Sequence, residues 1–307
     1  MHSKFVIEVP ASSGNLGCGF DILSAAVDIV NTFEIEIKPG KFSLNIIPSG
    51  ENADIVERGK NNIFWKAALV VFKKVKFDYR KLGRINVKIN IKTPLMRGLG
   101  SSGTAHLAGA FFANEVSGKK LSKLEILKIC AHLEGHYDNV ASSLYGGIVL
   151  TVVLKDKVNV YPIRGKFNYP LTIAIPEIIV NTKSSRGSLP EVYSKRDVIF
   201  NLSRVASLMY GILEKGLESF MFEDRIHTPY RKKFIKGFDE MKKMVEKAGA
   251  KGFFISGSGS SVVAIAKNKK DAKTFKEMFE KFFKKLKIPC RVIITKVRDK
   301  GVVIKHA

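Results

Sequence analysis

Apolar spacing along the chain marks out a series of short elements. Phe5–Val9 is a brief apolar run, and Phe33–Ile37 alternates apolar with acidic residues, so both read as strands. Between them Pro10–Asp21 is rich in Gly and Ser and reads as a loop. Ile63, Ala67, Val70 and Val71 recur at helical spacing and predict an amphipathic helix over 61–76. Ile85, Val87, Ile89 and Ile91 alternate with Asn86, Lys88 and Asn90, the pattern of a half-buried strand. A glycine-rich turn follows at 98–103. Ala105–Val116 is apolar almost all round, which predicts a buried helix. A further helix is expected over 121–135 and a strand over Ile148–Leu154.

The second half continues in the same manner. Strands are expected at 171–176, 252–256, 261–266 and 291–296, and helices near 197–214 and 231–248. Phe275, Met278, Phe279, Phe282 and Leu286 mark one face of a strongly amphipathic helix. No internal repeat or low-complexity tract is present. Interspersed helices and strands indicate an α+β or α/β protein. A chain of 307 residues exceeds the usual size of one domain, and Lys155–Asp156–Lys157 and Gly165–Lys166 are the best boundary candidates.

Composition narrows the function classes. Hydrophobic residues make up 45% of the chain, which suits packed cores and excludes disorder. Lys plus Arg is 52 against 28 acidic residues, a formal charge of +24. Such a chain attracts polyanions, so nucleic acid and phosphorylated small molecules both enter the picture. The lysines spread over 72–81, 242–251 and 267–287 and form no single tail, and glutamine is absent. Lysine enrichment with loss of a thermolabile amide is a thermophile habit, and it assigns much of the excess charge to solvated surface. The aromatic-basic stacking motif of RNA-binding modules is missing. Cys18, Cys130 and Cys290 lie far apart, without metal-ligand spacing, as expected of a reducing, cytoplasmic setting. Lys4 and Glu8 interrupt any signal-peptide pattern, and no run approaches a membrane span of about 20 apolar residues. Neither nucleic acid nor membrane is expected as a partner.

The segment Pro94-Leu95-Met96-Arg97-Gly98-Leu99-Gly100-Ser101-Ser102-Gly103-Thr104 carries the most chemistry. It joins a predicted strand to a predicted helix. Its glycines allow close approach of backbone to a ligand, the helix start offers free N–H groups, and Ser101 and Ser102 add hydroxyls. Together these make an anion cradle. Gly98, Gly100 and Gly103 also satisfy G-x-G-x-x-G, but the acidic residue that a dinucleotide fold wants about 20 residues later is lacking, and so is the Walker lysine.

This segment resembles the second motif of the GHMP kinase superfamily, Pro-x-x-x-Gly-Leu-Gly-Ser-Ser before a small residue. Ile255-Ser-Gly-Ser-Gly-Ser260 is similar to the third motif, with Ser260 where the family usually has Pro. Within the superfamily, Val9-Pro-Ala-Ser-Ser-Gly-Asn-Leu-Gly-Cys-Gly-Phe-Asp21 resembles the signature of the homoserine kinases, with Gly14 and Cys18 in place of the usual Ala and Pro. Glu134–Val140, Thr182–Pro190 and His227–Arg231 with Gly237–Asp239 match further blocks of that family in the same order.

The resemblance implies a two-domain α+β fold. A ribosomal-S5-like ATP-binding domain would occupy 1–160 and a ferredoxin-like GHMP kinase domain 161–307. It implies phosphorylation of the L-homoserine hydroxyl by ATP, with magnesium, giving O-phospho-L-homoserine and ADP in threonine biosynthesis. Homodimers occur among members of the superfamily, so a homodimer is allowed. A zwitterionic substrate needs an anion for its ammonium, which Asp21 beside Asn15 supplies, and bidentate donors for its carboxylate, where the resemblance puts Arg186 and Arg231. His136 and Thr182 join the pocket. The resemblance gives Ser102 and Glu134 as magnesium ligands and Asn62 a place near adenine, although Asn62 also reads as a helix cap. Asn139 falls where some relatives carry a catalytic Asp. An amide cannot take a proton, so no strong side-chain base is expected, and Asp138 is the competing candidate. Two rival functions stay open: another kinase of the superfamily acting on mevalonate or shikimate, and a nucleic-acid-binding protein.

Overall fold

The computed structural model describes residues 3–155, 157–163, 165 and 167–306; Asp156 and Lys166, part of the two boundary candidates, lie outside the described residues. In chain order the first half runs β1 (Ser3–Gly14), β2 (Leu23–Lys38), β3 (Ser43–Gly50), α1 (Ile63–Lys74), β4 (Arg84–Ile91), α2 (Ser101–Val116), α3 (Lys123–Glu134), α4 (Asp138–Tyr145), β5 (Ile148–Val153) and β6 (Val158–Ile163). The second half runs β7 (Leu171–Pro176), α5 (Thr182–Gly187), α6 (Lys195–Tyr210), α7 (Thr228–Arg231), α8 (Phe238–Lys247), β8 (Gly252–Ile255), β9 (Val262–Ile265), α9 (Lys269–Lys285), β10 (Cys290–Thr295) and β11 (Val303–His306).

The strands form two sheets among the described residues. In the first, the order is β11-β1-β2-β4-β3, with β5 on the opening residues of β2 and β6 beyond β5. Only β3 and β4 pair in parallel there. Helices α2 and α4 lie against this sheet and α1 and α3 pack on α2, over a core that includes Phe5, Phe33, Phe64, Trp65, Phe72 and Phe112. The second sheet, β10-β7-β9-β8, is antiparallel throughout. With helices between β7 and β8 and between β9 and β10, this is the ferredoxin-like arrangement.

Strand alternation divides the second sheet's side chains. Ala174, Phe253, Ile255, Val262 and Ala264 pack on α8 and α9. Leu171, Ile173, Ile175, Phe254, Val263 and Ile265 face the other way, onto Ala11, Leu23, Ala25, Val27 and Leu99 of the first half. The two halves therefore share an apolar core, and the functional cleft opens at its edge.

Several expectations need adjusting. The loop expected over Pro10–Asp21 is partly strand, because β1 continues to Gly14 and pairs with β2 as far as Gly14↔Ser24. Its last residues, Ala11, Ser12, Ser13 and Gly14, are small and all buried, so no alternation announces them. Pro10 sits at a register shift, where its missing N–H is harmless. The helix expected over 231–248 starts at Phe238, behind Gly237 at φ +76°, and only the short α7 and a further tight turn precede it. β3, α4, β6 and β11 carry no clear periodic signal. β6 lies across position 160, and β11 returns to the first sheet beside β1. Among the described residues no helix is long and apolar enough to cross a membrane.

Candidate active site

Three glycine- and serine-rich segments cross at one end of the shared core. Their main chains bond to each other: Ser12 N–H to Leu99 O (3.1 Å), Gly257 N–H to Gly14 O (3.2 Å) and Ser261 N–H to Arg97 O (3.3 Å). The Ser256 hydroxyl donates to Gly98 O at 2.7 Å and lies 2.8 Å from the Ser13 hydroxyl. Glycine is required where they cross. Gly98 has φ +74°, and a Cβ there would lie 2.1 Å from Ser256 O. Gly100 has φ +68°, and a Cβ there would lie 2.2 Å from Ser12 Oγ.

Gly100 is the residue from which α2 starts. The first helical N–H to find a partner within the helix is that of Thr104, on Gly100 O at 3.1 Å. The N–H groups of Ser101, Ser102 and Gly103 precede it and form the positive end of a 16-residue helix. Asn31 braces this loop from behind. Its Oδ1 accepts from the N–H groups of Lys92 (2.8 Å) and Thr93 (3.0 Å), and its Nδ2 donates to Thr104 Oγ1 at 2.8 Å.

The loop forms one wall of a cleft of about 380 Å³. Leu95, Met96, Arg97, Gly98, Leu99, Gly100, Ser101 and Ser102 line it, together with Glu134, His136, Asp138, Asn139, Asn15, Asp21, Thr182, Arg186 and Arg231. Four expected residues do not. Pro94 is buried behind the loop, and Gly103 faces Val140, 3.6 Å from where its Cβ would stand. Thr104 is fully buried and bonds Ser101 O at 2.7 Å. Asn62 caps α1, its Oδ1 accepting from Phe64 N–H at 2.9 Å and its Nδ2 donating to Glu57 O, while its neighbour Ile63 reaches the cleft with Ile55.

At the loop end of the cleft, Glu134 closes α3. Its Oε1 lies 2.5 Å from Nδ1 of His106, which projects from α2 one turn after Ser102. Burial acts to raise the Glu134 pKa, but the hydrogen bond and charge of His106, then Ser102 and His136, outweigh it and leave the carboxyl below its ordinary value. A charged carboxylate beside a hydroxyl, facing a helix N-terminus, is a hard oxygen donor set. Among the described residues no three or more His, Cys, Asp or Glu gather to cage a metal. Magnesium carried in on a phosphate chain needs no such cage, so the donors present fit it.

The middle of the cleft holds the opening turn of α4. His136 Nδ1 and Asp138 Oδ1 are 2.8 Å apart. Burial alone would lower the histidine pKa and raise that of the aspartate. Their mutual bond and charge override it in both, so His136 titrates above and Asp138 below the ordinary value. Asn139 stands beside them, and its Oδ1 is buried without a hydrogen-bond partner. Gly14 gives it space, since a Cβ there would lie 2.2 Å from that oxygen.

The far end gathers the charged side chains. Asn15 and Asp21 both take positive φ, +72° and +61°. Asn15 Oδ1 accepts from Asp21 N–H at 3.1 Å, and its Nδ2 donates to Gly257 O at 2.9 Å. Asp21 forms a two-pronged ion pair with Arg186, Nη1 to Oδ2 and Nη2 to Oδ1, each 2.7 Å. Arg231 is 3% exposed and donates Nη1 to Gly257 O at 3.0 Å. Burial first, and then the Arg186 charge, pull its pKa down. Both guanidinium groups lie over Phe20, at 5.8 Å for Arg186 and 4.9 Å for Arg231. His227 stacks beneath that ring at 5.2 Å and holds Gly17 O with Nε2–H at 2.7 Å; burial, the largest influence, keeps it below its ordinary pKa.

His106, Asn31, Phe20, Gly257 and Ser258 went unread as site residues. His106 is signalled by its i,i+4 spacing from Ser102, and the last two by the third glycine motif. Asn31 has no local signal beyond an amide in an apolar strand. The three cysteines are free, and burial pushes the Cys18 and Cys290 thiols up to about 12, so no thiolate serves this cleft.

The chain resembles known proteins over both of its halves. Residues 62–147 match the GHMP kinases N terminal domain, and 207–285 match GHMP kinases C terminal. The chain is 35% identical to a homoserine kinase of Picosynechococcus sp. over 85% of this chain and 86% of that one. It is 33% identical to a homoserine kinase of Carboxydothermus hydrogenoformans over 96% and 95%. The crystal structure of homoserine kinase from Cytophaga hutchinsonii superposes with a TM-score of 0.87 at 28% identity, covering 99% of this chain and 98% of that one.

Proposed function

The chain belongs to the GHMP kinases, among relatives that are homoserine kinases, and on that premise we propose that it transfers the γ-phosphoryl group of ATP to the side-chain hydroxyl of L-homoserine. The products are O-phospho-L-homoserine and ADP, a step of threonine biosynthesis. The observation that carries the reading is the cleft's polarity: a helix N-terminus whose first three N–H groups precede the bond from Thr104 N–H to Gly100 O at one end, an acid and two guanidinium groups at the other.

The triphosphate lies along Leu95–Ser102, against the start of α2, with the base toward Ile55, Ile63 and Met96. Ser102 and Glu134 would hold magnesium, which would supply neutralisation of phosphate charge when bound. His106 keeps Glu134 turned toward the loop. The substrate carboxylate meets Arg186 and Arg231, its ammonium meets Asp21, and Thr182 closes over it from α5. Asn139, with an unpartnered buried oxygen, accepts from the acceptor hydroxyl and aims it at the γ-phosphate. Asp138 is bound to His136 and depressed in pKa, which makes it a poor base, so the hydroxyl proton passes to the phosphoryl group itself. We draw the domain division between β6 and β7, a few residues beyond 160, and place the enzyme in the cytoplasm, where homodimers are allowed.

The direct test is ADP release with ATP, magnesium and L-homoserine, with mevalonate and shikimate as alternative acceptors. Turnover is expected with L-homoserine alone. Equal or greater turnover with mevalonate would move the chain to another branch of the superfamily.

A further inference from the structure

The ion pair between Asp21 and Arg186 joins the two groups that the proposed reading assigns to opposite charges of the substrate. Both side chains are about one-third exposed, 36% and 37%, so the pair sits at the cleft surface and not in the core. It also has a local reason to exist. Arg186 and Arg231 both lie over one ring, Phe20, and Arg231 is buried. Two adjacent guanidinium groups repel, and Asp21 is the carboxylate bonded to Arg186 that offsets this, with Asp138 near both groups and Asp224 near Arg231 adding negative charge without a bond. Its backbone is fixed for this, held at φ +61° by the Asn15 side chain.

We propose that the Asp21–Arg186 bridge is a clasp that only a zwitterion opens without loss, and that it sets the enzyme's demand for an acceptor carrying both an ammonium and a carboxylate. The inference rests on the amino-acid-kinase reading given above. An arriving zwitterion breaks one ion pair and makes two, since its carboxylate replaces Asp21 on Arg186 and its ammonium replaces Arg186 on Asp21. A ligand with a carboxylate alone breaks one pair, makes one, and leaves Asp21 without a partner. A ligand with an ammonium alone leaves Arg186 in the same position, beside Arg231. Recognition of the two charges is therefore coupled through the bridge, and neither half-ligand collects the binding that its own contact supplies.

The test uses two truncated acceptors, 4-hydroxybutyrate, which lacks the ammonium, and 3-aminopropan-1-ol, which lacks the carboxylate. Their affinities are measured by isothermal titration on the wild-type chain, Asp21→Asn, Arg186→Gln and the double variant. Asp21→Asn should weaken L-homoserine yet tighten 4-hydroxybutyrate by about fivefold, the scale of one partly exposed two-pronged ion pair. In the Arg186→Gln background the same Asp21→Asn change should leave 4-hydroxybutyrate unaltered, because nothing remains to be released. Arg186→Gln should likewise tighten 3-aminopropan-1-ol only while Asp21 is present. An equal gain in both backgrounds would mean simple removal of repulsion and would overturn the clasp, as would no gain. Should the variants fail to fold, a crystal of the wild-type chain with L-homoserine decides the matter. Arg186 more than about 4 Å from Asp21 supports the exchange, and an intact bridge beside bound L-homoserine overturns it. Absence of ADP release with L-homoserine in the wild-type chain is a different failure, that of the kinase reading itself.

Discussion

Individual side chains carry the sharpest expectations. Gly14 replaces the usual Ala of the resembling signature, and the space it leaves is filled by Asn139. Gly14→Ala should therefore push the amide out of line, crowd Asp138 Oδ2 as well, and lower kcat several-fold at a cost of about 1–3 kcal/mol of stability, measured by steady-state ADP release and thermal melting. The His136–Asp138 pair predicts a pH effect. Asp138 is held below 3.8 and adds stability that is present above that value and lost as pH falls through its folded pKa. His136 is held above 6.5 and adds stability that is present below that value and lost as pH rises through its own. Between 3.8 and 6.5 both contributions are whole. The melting temperature of the wild-type chain should exceed that of His136→Gln most in that interval, and the gap should close on the alkaline side. A gap independent of pH would show that the pair contributes nothing. Most residues that line the cleft were legible because motifs name them. Their partnerships were not: nothing local tells that Asp21 bonds Arg186, 165 positions away, or that His106 bonds Glu134.

At the scale of elements, periodicity worked where one face is apolar and the other polar. β4 and α9 follow their alternation and stripe closely. It failed where a segment is buried on all sides with small residues, as in Ala11–Gly14, and where strands are short and half-exposed, as in β6 and β11. Two substitutions test the elements around the glycine loop. Asn62→Ala removes the cap of α1 and should cost about 1 kcal/mol of stability while leaving KM for ATP near its wild-type value. A large rise in that KM would return Asn62 to the adenine pocket. Gly98→Ala forces a Cβ onto Ser256 O, so the loop and the third glycine turn must part. KM for ATP should rise on the order of tenfold, since the N–H groups at the start of α2 lose their alignment.

For the whole molecule the shared apolar core sets the behaviour. Phe254 of β8 stacks on Phe222 at 5.6 Å and belongs to the cluster that joins the two halves. Trp65, the single tryptophan, lies in the other core, under the first sheet. Phe254→Ala should cost about 3–5 kcal/mol and shift the unfolding midpoint seen by Trp65 fluorescence as far as that seen by circular dichroism. An unmoved Trp65 transition would mean that the halves unfold separately. The two-domain character was legible from length and motifs. The return of β11 to the first sheet was not, because strand pairing between distant ends leaves no trace in local spacing. One further consequence lies in how the cleft is made. On the proposed reading, main-chain atoms of three interlaced turns would hold the donor, whereas a handful of side chains would define the acceptor's place. Substitution would then rewrite the second without disturbing the first, and a few changes would turn one scaffold toward a different alcohol.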